Sequence, residues 1–185
     1  SYDEISSYTV GDSDESIPLL TEVLAAIPTS IEVNLELKHP GRDGLQFGAV
    51  DNEAREAAAG RWQPFVERAL DVATATDHEL LVSSFYEGAL AATRAVAPAV
   101  AVAPLVDGVE SGLTLAARYD AAAIHPPVRL LVDGAGETTP AGERLLAESH
   151  AANRRVNAWT VTTTQTARAL DEAGVDGLIT DTSAA

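Results

Sequence analysis

The chain of 185 residues has no cysteine, no methionine and a single lysine, Lys38. Without cysteine there can be no disulfide, thiol nucleophile, iron–sulfur cluster or thiolate zinc site. Aromatic residues make up only 5% of the chain. Positive charge is scarce too: 12 Lys and Arg stand against 28 Asp and Glu, a net charge of −16. A surface this acidic repels nucleic acid and anionic lipid, so neither is an expected partner. Long hydrophobic runs are also missing. The longest, residues 95–106, is broken by Pro98 and Pro104 and falls short of the roughly 20 residues that span a bilayer. No membrane insertion is expected. The sequence opens in a polar stretch without the pattern of a secretory signal, and the expectation is a soluble, cytoplasmic protein.

What is present is a core. Hydrophobic residues reach 46%, which excludes a disordered chain and suits one domain over residues 1–185. Alanine and valine dominate the apolar set. With one lysine and abundant Asp and Glu, this is the composition of a salt-adapted protein of the halophilic archaeal kind. At molar ionic strength the self-repulsion of such a surface is screened over about 3 Å. An ordinary acidic protein is the alternative.

After residue 30 the pattern alternates strand and helix. Strands are expected at residues 31–38, 79–85, 100–106, 121–125, 155–161 and 177–180. Between them helices are expected at 62–75, 88–96, 112–118, 139–152 and 163–173, with a shorter one near 53–59. Thr139 reads as an N-cap with Pro140 in the first turn, and Gly174 as the terminating glycine of the last helix. Residues 1–16 read as a polar loop ahead of a helix at 17–26. Repeated βα units imply a parallel sheet with helices outside it. Both an open doubly wound sheet and a (β/α)8 barrel fit. No Gly-x-Gly-x-x-Gly follows a strand, so a dinucleotide crevice is unsupported. A barrel takes about 250 residues, and the chain is shorter by roughly two βα units.

The lone lysine closes the first strand, in Leu35-Glu36-Leu37-Lys38-His39-Pro40. On a strand, residues i and i+2 share a face, so Glu36 and Lys38 project side by side, and Pro40 is expected to stop the strand. A carboxylate beside a compact ammonium suits a site handling a divalent cation and a phosphate. A surface ion pair, worth roughly 0–1 kcal/mol, is the other reading.

Four segments in order resemble the glycerophosphodiester phosphodiesterase family. Ile17-Pro18-Leu19-Leu20-Thr21-Glu22-Val23-Leu24 is similar to its Ile-Pro-x-Leu-x-Glu-x-Leu segment, which precedes a strand ending in Glu-x-Lys. Ser83-Ser84-Phe85 with Ala89-Leu90, Trp159-Thr160-Val161, and Gly174-Val175-Asp176 with Thr180-Asp181 are similar to three further family segments. Thr162 departs from the family's usual Asn, and Thr182-Ser183 from its customary proline. The resemblance starts in the family's third βα unit and implies a TIM barrel, of which residues 1–185 cover about six βα units. The first two units would lie outside, with the His-Arg-Gly segment, the Glu-x-Asp metal pair and the second histidine.

The resemblance implies hydrolysis of a glycerophosphodiester to glycerol 3-phosphate and an alcohol. It assigns Glu36 to a divalent metal, Ca2+ or Mg2+, and Lys38 to the phosphodiester. Phe85 and Trp159 become apolar walls around the glycerol end, with core packing as the alternative for both. His125, before Pro126-Pro127, is a candidate for the rim. His39 is expected on a solvated loop, His78 and His150 at the surface, and Asp176 and Asp181 in turn or cap roles. Alternatives in function are a non-catalytic glycerophospho-binding barrel and a related cyclising phospholipase. Ala-rich helices leave a homo-oligomer open.

Overall fold

A computed structural model describes residues 2–11, 13–39, 41 and 43–181. Pro40, expected to stop the first strand, lies outside the described residues, as do Thr182 and Ser183. The strands are β1 (Val33–Glu36), β2 (Leu80–Ser84), β3 (Ala101–Pro104), β4 (Ala123–Ile124), β5 (Arg155–Ala158) and β6 (Gly177–Leu178). The helices are α1 (Tyr2–Ile5), α2 (Leu20–Ala26), α3 (Arg55–Ala73), α4 (Glu87–Val96), α5 (Val109–Arg118), α6 (Val128–Leu131), α7 (Pro140–Ala151) and α8 (Thr164–Glu172).

All strand pairs are parallel. β1, β2 and β3 form one sheet and β4, β5 and β6 another, each in chain order. A parallel bridge between Leu105 and His125 links the two sheets, with His125 N–H donating to Pro104 O at 2.9 Å and Val106 N–H to His125 O at 3.1 Å. The strands therefore follow one another as a single parallel series with helices between them, a TIM-barrel-like α/β arrangement. Alternate residues divide its two faces. Val82, Val102, Ile124, Val156 and Ala158 are buried against the helices, while Leu81, Ala103 and Ala123 form a separate small cluster on the opposite face.

The expected strands and helices are present, with shorter strands than their apolar runs suggested. Three local expectations need correction, and one short helix was not expected. Residues 1–16 contain α1 and an antiparallel bridge, Thr9 to Ser16, and not only loop. The short helix near 53–59 and the helix at 62–75 are one continuous α3, which runs through Gly60 and Pro64. Its buried Trp62, Val66, Leu70 and Ala73 keep helical spacing, and α4 leans on it so closely that a Cβ on Gly88 would come within 2.7 Å of Trp62 Cδ1. Tertiary packing here overrides punctuation that costs an isolated helix about 1–3 kcal/mol per residue. Helix α5 begins at Val109 and not at Gly112. The short α6 follows β4; four residues are too few to show a period.

Capping went as the sequence indicated. Thr139 Oγ1 accepts from Gly142 N–H at 2.9 Å ahead of Pro140, and Gly174 takes φ +87° after α8, a left-handed conformation that glycine adopts without strain.

Candidate functional site

The C-terminal ends of parallel strands are where βα-barrel enzymes carry their chemistry, and the residues picked from the sequence gather there. At the end of β1, Leu37 is 3% exposed and packs toward the helices. Its N–H donates to Ser83 O at 2.8 Å, and Ser84 Oγ donates to Leu37 O at 2.7 Å. With Leu37 fixed, its two neighbours must project from the other face. Glu36 Oε2 and Lys38 Nζ lie 3.7 Å apart. Glu36 is half-buried and Lys38 is 76% exposed, so the ammonium reaches into solvent from the strand end. Glu36 pairs in register with Ser83, whose buried Oγ has no partner among the described residues.

Phe85 and Trp159 leave the ends of β2 and β5 and meet edge to face, ring centroids 5.3 Å apart at 84°. Trp159 is held from three directions. Its Nε1–H donates to His125 O at 2.7 Å, its N–H to Pro126 O at 3.0 Å, and its carbonyl accepts from Val128 N–H at 2.7 Å. The structure thus brings together two aromatic rings that the sequence could only place on separate strands.

His125 lies beneath that tryptophan. It is 1% exposed, and Asn157 Nδ2 stands 3.0 Å from its Nε2. Burial, and then the nearby Arg155 guanidinium, push its imidazole down to about 4, so the ring is neutral near pH 7. Its Nδ1 has no hydrogen-bond partner among the described residues. His39 is exposed, as expected, and its Nδ1 accepts from Gly41 N–H at 3.0 Å. His78, expected at the surface, is instead buried, 3.0 Å from both Ile27 O and Thr76 Oγ1. His150 is exposed and pairs with Asp176, which also accepts from Val156 N–H at 2.7 Å.

Two features escaped sequence reasoning. Phe47, on the loop after β1, stacks on Phe85 with centroids 5.2 Å apart at 21°. The signal was there: a phenylalanine in a Gly-rich loop of an aromatic-poor chain. Glu87, at the start of α4, is fully buried. It accepts from Val50 N–H at 2.6 Å, Arg55 Nε at 3.0 Å, Arg118 Nη1 at 2.6 Å and Tyr119 OH at 2.7 Å. Those donors come from the loop before α3, from α3 and from the end of α5, and no spacing rule foretells such a meeting.

Among the described residues no group of three or more His, Asp or Glu could hold a metal ion. Glu36 has the hard oxygen that Ca2+ or Mg2+ takes, but one carboxylate falls well short of the six or more ligands such ions require. The described residues alone do not fit a complete metal centre. A groove of about 430 Å³ between α2 and α3 is lined mainly by apolar residues, among them Leu20, Leu35, Leu37 and Phe65, with Glu36 and Arg68 also at its wall.

The parallel βα architecture, with a charged pair and aromatic rings at the strand ends, defines the class as a TIM-barrel-like α/β protein. The glycerophosphoryl diester phosphodiesterase family matches residues 1–185, and the chain belongs to that family. Members of this family are phosphodiesterases and generally depend on a divalent metal. A comparison with curated proteins returns no match.

Solved structures agree on the fold. A glycerophosphodiester phosphodiesterase from Parabacteroides distasonis is 18% identical with a TM-score of 0.63, covering 98% of this chain and 66% of its own. One from Thermotoga maritima is 18% identical with a TM-score of 0.62, covering 91% and 62%. An Oleispira antarctica phosphodiesterase in complex with the product sn-glycerol-3-phosphate is 21% identical with a TM-score of 0.51, covering 64% and 47%. The chain therefore spans about half to two thirds of the length of these relatives.

Proposed function

We propose that this protein hydrolyses a glycerophosphodiester to sn-glycerol 3-phosphate and an alcohol. Water adds its oxygen to phosphorus, the bond from phosphorus to the alcohol oxygen breaks, and the alcohol leaves with a proton. The observation that carries this reading is the Glu36–Lys38 pair, 3.7 Å apart, at the same strand ends as the Phe85–Trp159 pair. Lys38 Nζ, solvent-facing on a flexible stem, offsets negative charge on the phosphoryl oxygens as it builds in the transition state. Phe85 and Trp159 wall the glycerol end. Glu36 serves as one oxygen donor to Ca2+ or Mg2+, and the remaining donors and the acid–base histidines come from outside the described residues.

The strand series is part of an eight-stranded barrel in which two more βα units stand beside β1 and β6. In support, β1 and β6 each pair with one neighbour only among the described residues, and Leu178, opposite the buried Ala158 on the helix side, is 44% exposed. No helix among the described residues is long and apolar enough to cross a membrane; we read the net charge of −16 as salt adaptation and place the protein in the cytoplasm of a halophile.

The second reading is a barrel that binds a glycerophospho compound without cleaving it. The test is hydrolysis of glycerophosphocholine and glycerophosphoethanolamine by the full-length protein, with Ca2+ or Mg2+ in molar salt. Glycerol 3-phosphate should appear, and Glu36→Gln and Lys38→Ala should each lower turnover about 100-fold. Binding without turnover selects the non-catalytic barrel, and a stable cyclic phosphate selects a cyclising phospholipase. Full activity in Glu36→Gln would overturn the assignment.

A further inference from the structure

Phe47 is one of three phenylalanines in the chain and is left 56% exposed. Its loop is nevertheless bound to the end of β2. Gly48 N–H donates to Phe85 O at 2.9 Å, Glu87 N–H donates to Gly48 O at 3.1 Å, and Val50 N–H reaches the buried Glu87 carboxylate at 2.6 Å. Gly48 has φ +76°, which lets the chain reverse there at no steric cost. The ring is thus presented by backbone bonds at the residues that follow it, with Phe85 under one face and Tyr86 edge-on at 5.5 Å. Through Phe85 it continues the aromatic surface that begins at Trp159.

An aromatic face offered to water beside other rings is attractive to a cation, above all to a weakly hydrated quaternary ammonium. The single lysine, Lys38, is engaged with Glu36. Because the Phe85–Trp159 end of the aromatic surface is assigned to glycerol, the Phe47 end is left for the other alcohol of the diester.

We propose that Phe47, backed by Phe85, is a specificity-determining platform for a glycerophosphodiester whose alcohol carries a quaternary ammonium of the choline type. The proposal rests on the reading that the protein takes a glycerophosphodiester. Its test compares kcat/KM of the full-length protein for glycerophosphocholine and for the uncharged glycerophosphoglycerol, in wild type, Phe47→Leu and Phe47→Trp. Leucine keeps apolar bulk and removes the π face, so folding is preserved; a matching Tm confirms it. Phe47→Leu should lower kcat/KM for glycerophosphocholine about fivefold, chiefly through KM, leave glycerophosphoglycerol within about twofold, and be rescued by Phe47→Trp. Equal losses on both substrates, or none on either, would overturn the platform while leaving the hydrolase reading intact. If the wild type binds and cleaves neither diester, that reading and this proposal fall together.

Discussion

Glu32 and Arg155 stand 123 positions apart in sequence and form a two-point ion pair, Nη1 to Oε2 at 2.7 Å and Nη2 to Oε1 at 2.6 Å. Glu32 immediately precedes β1 and Arg155 opens β5, so the pair ties the first sheet to the second at the N-terminal ends of the strands. The guanidinium bonds hold the Glu32 carboxyl below the usual carboxylate range. Arg155 is 44% exposed, so solvent and salt weaken the attraction. Arg155→Ala should cost about 1 kcal/mol at low ionic strength and clearly less at molar salt. Urea unfolding of wild type and variant at two salt concentrations measures this, and a cost that grows with salt would contradict a charge-based tie.

That tie shows what a sequence can and cannot disclose. The strands were legible because each is a short apolar run with helix-spaced residues on either side. Their ends were overestimated because Leu105, His125 and Trp159 make only isolated bridges beyond the regular ladders. Glu36 and Lys38 were legible as neighbours, since the two-residue period of a strand fixes their relation. The meeting of Phe85 with Trp159 was not, because it depends on how the sheet curves. Family resemblance supplied their shared role without supplying their 5.3 Å contact. Continuous α3 was illegible for the opposite reason: Gly60 and Pro64 are local breakers, and the long interface with α4 outweighs them.

Glu87 offers a sharper test of that interface. Burial by itself would raise its carboxyl; the bonds from Val50 N–H, Tyr119 and Arg118 outweigh burial and leave it lowered. Burial and the adjacent carboxylate together push the Tyr119 hydroxyl up. Replacing the charged partner leaves two guanidinium groups, Arg55 and Arg118, converging on a neutral group. Breaking a buried pair in this way is more costly than never having built one. Glu87→Gln should therefore destabilise the fold by about 3 kcal/mol, and Tyr119→Phe by about 1 kcal/mol. Thermal unfolding in molar salt reads both. Equal, small losses would mean that the cluster is solvated in solution.

His125 makes stability depend on pH in a window of its own. Its folded value of about 4 lies below the 6.5 of a free imidazole, so between those limits the unfolded chain binds a proton that the folded chain refuses. Stability is then full above about pH 6.5 and falls as pH drops toward 4, by about 3 kcal/mol in all. Glu32 and Glu87, also lowered, begin to lose their contributions as pH falls below about 5 and go on losing them below the ordinary carboxylate range, so the decline between pH 6.5 and 5 belongs to the imidazole. His39, His78 and His150 are common to wild type and His125→Gln, so the difference between the two unfolding curves isolates His125. The variant should be less stable at pH 7, where it loses the fit beneath Trp159, and should show a shallower decline from pH 6.5 to 4. Parallel curves across that window would mean that His125 takes up its proton inside the folded protein and that water reaches it below the tryptophan.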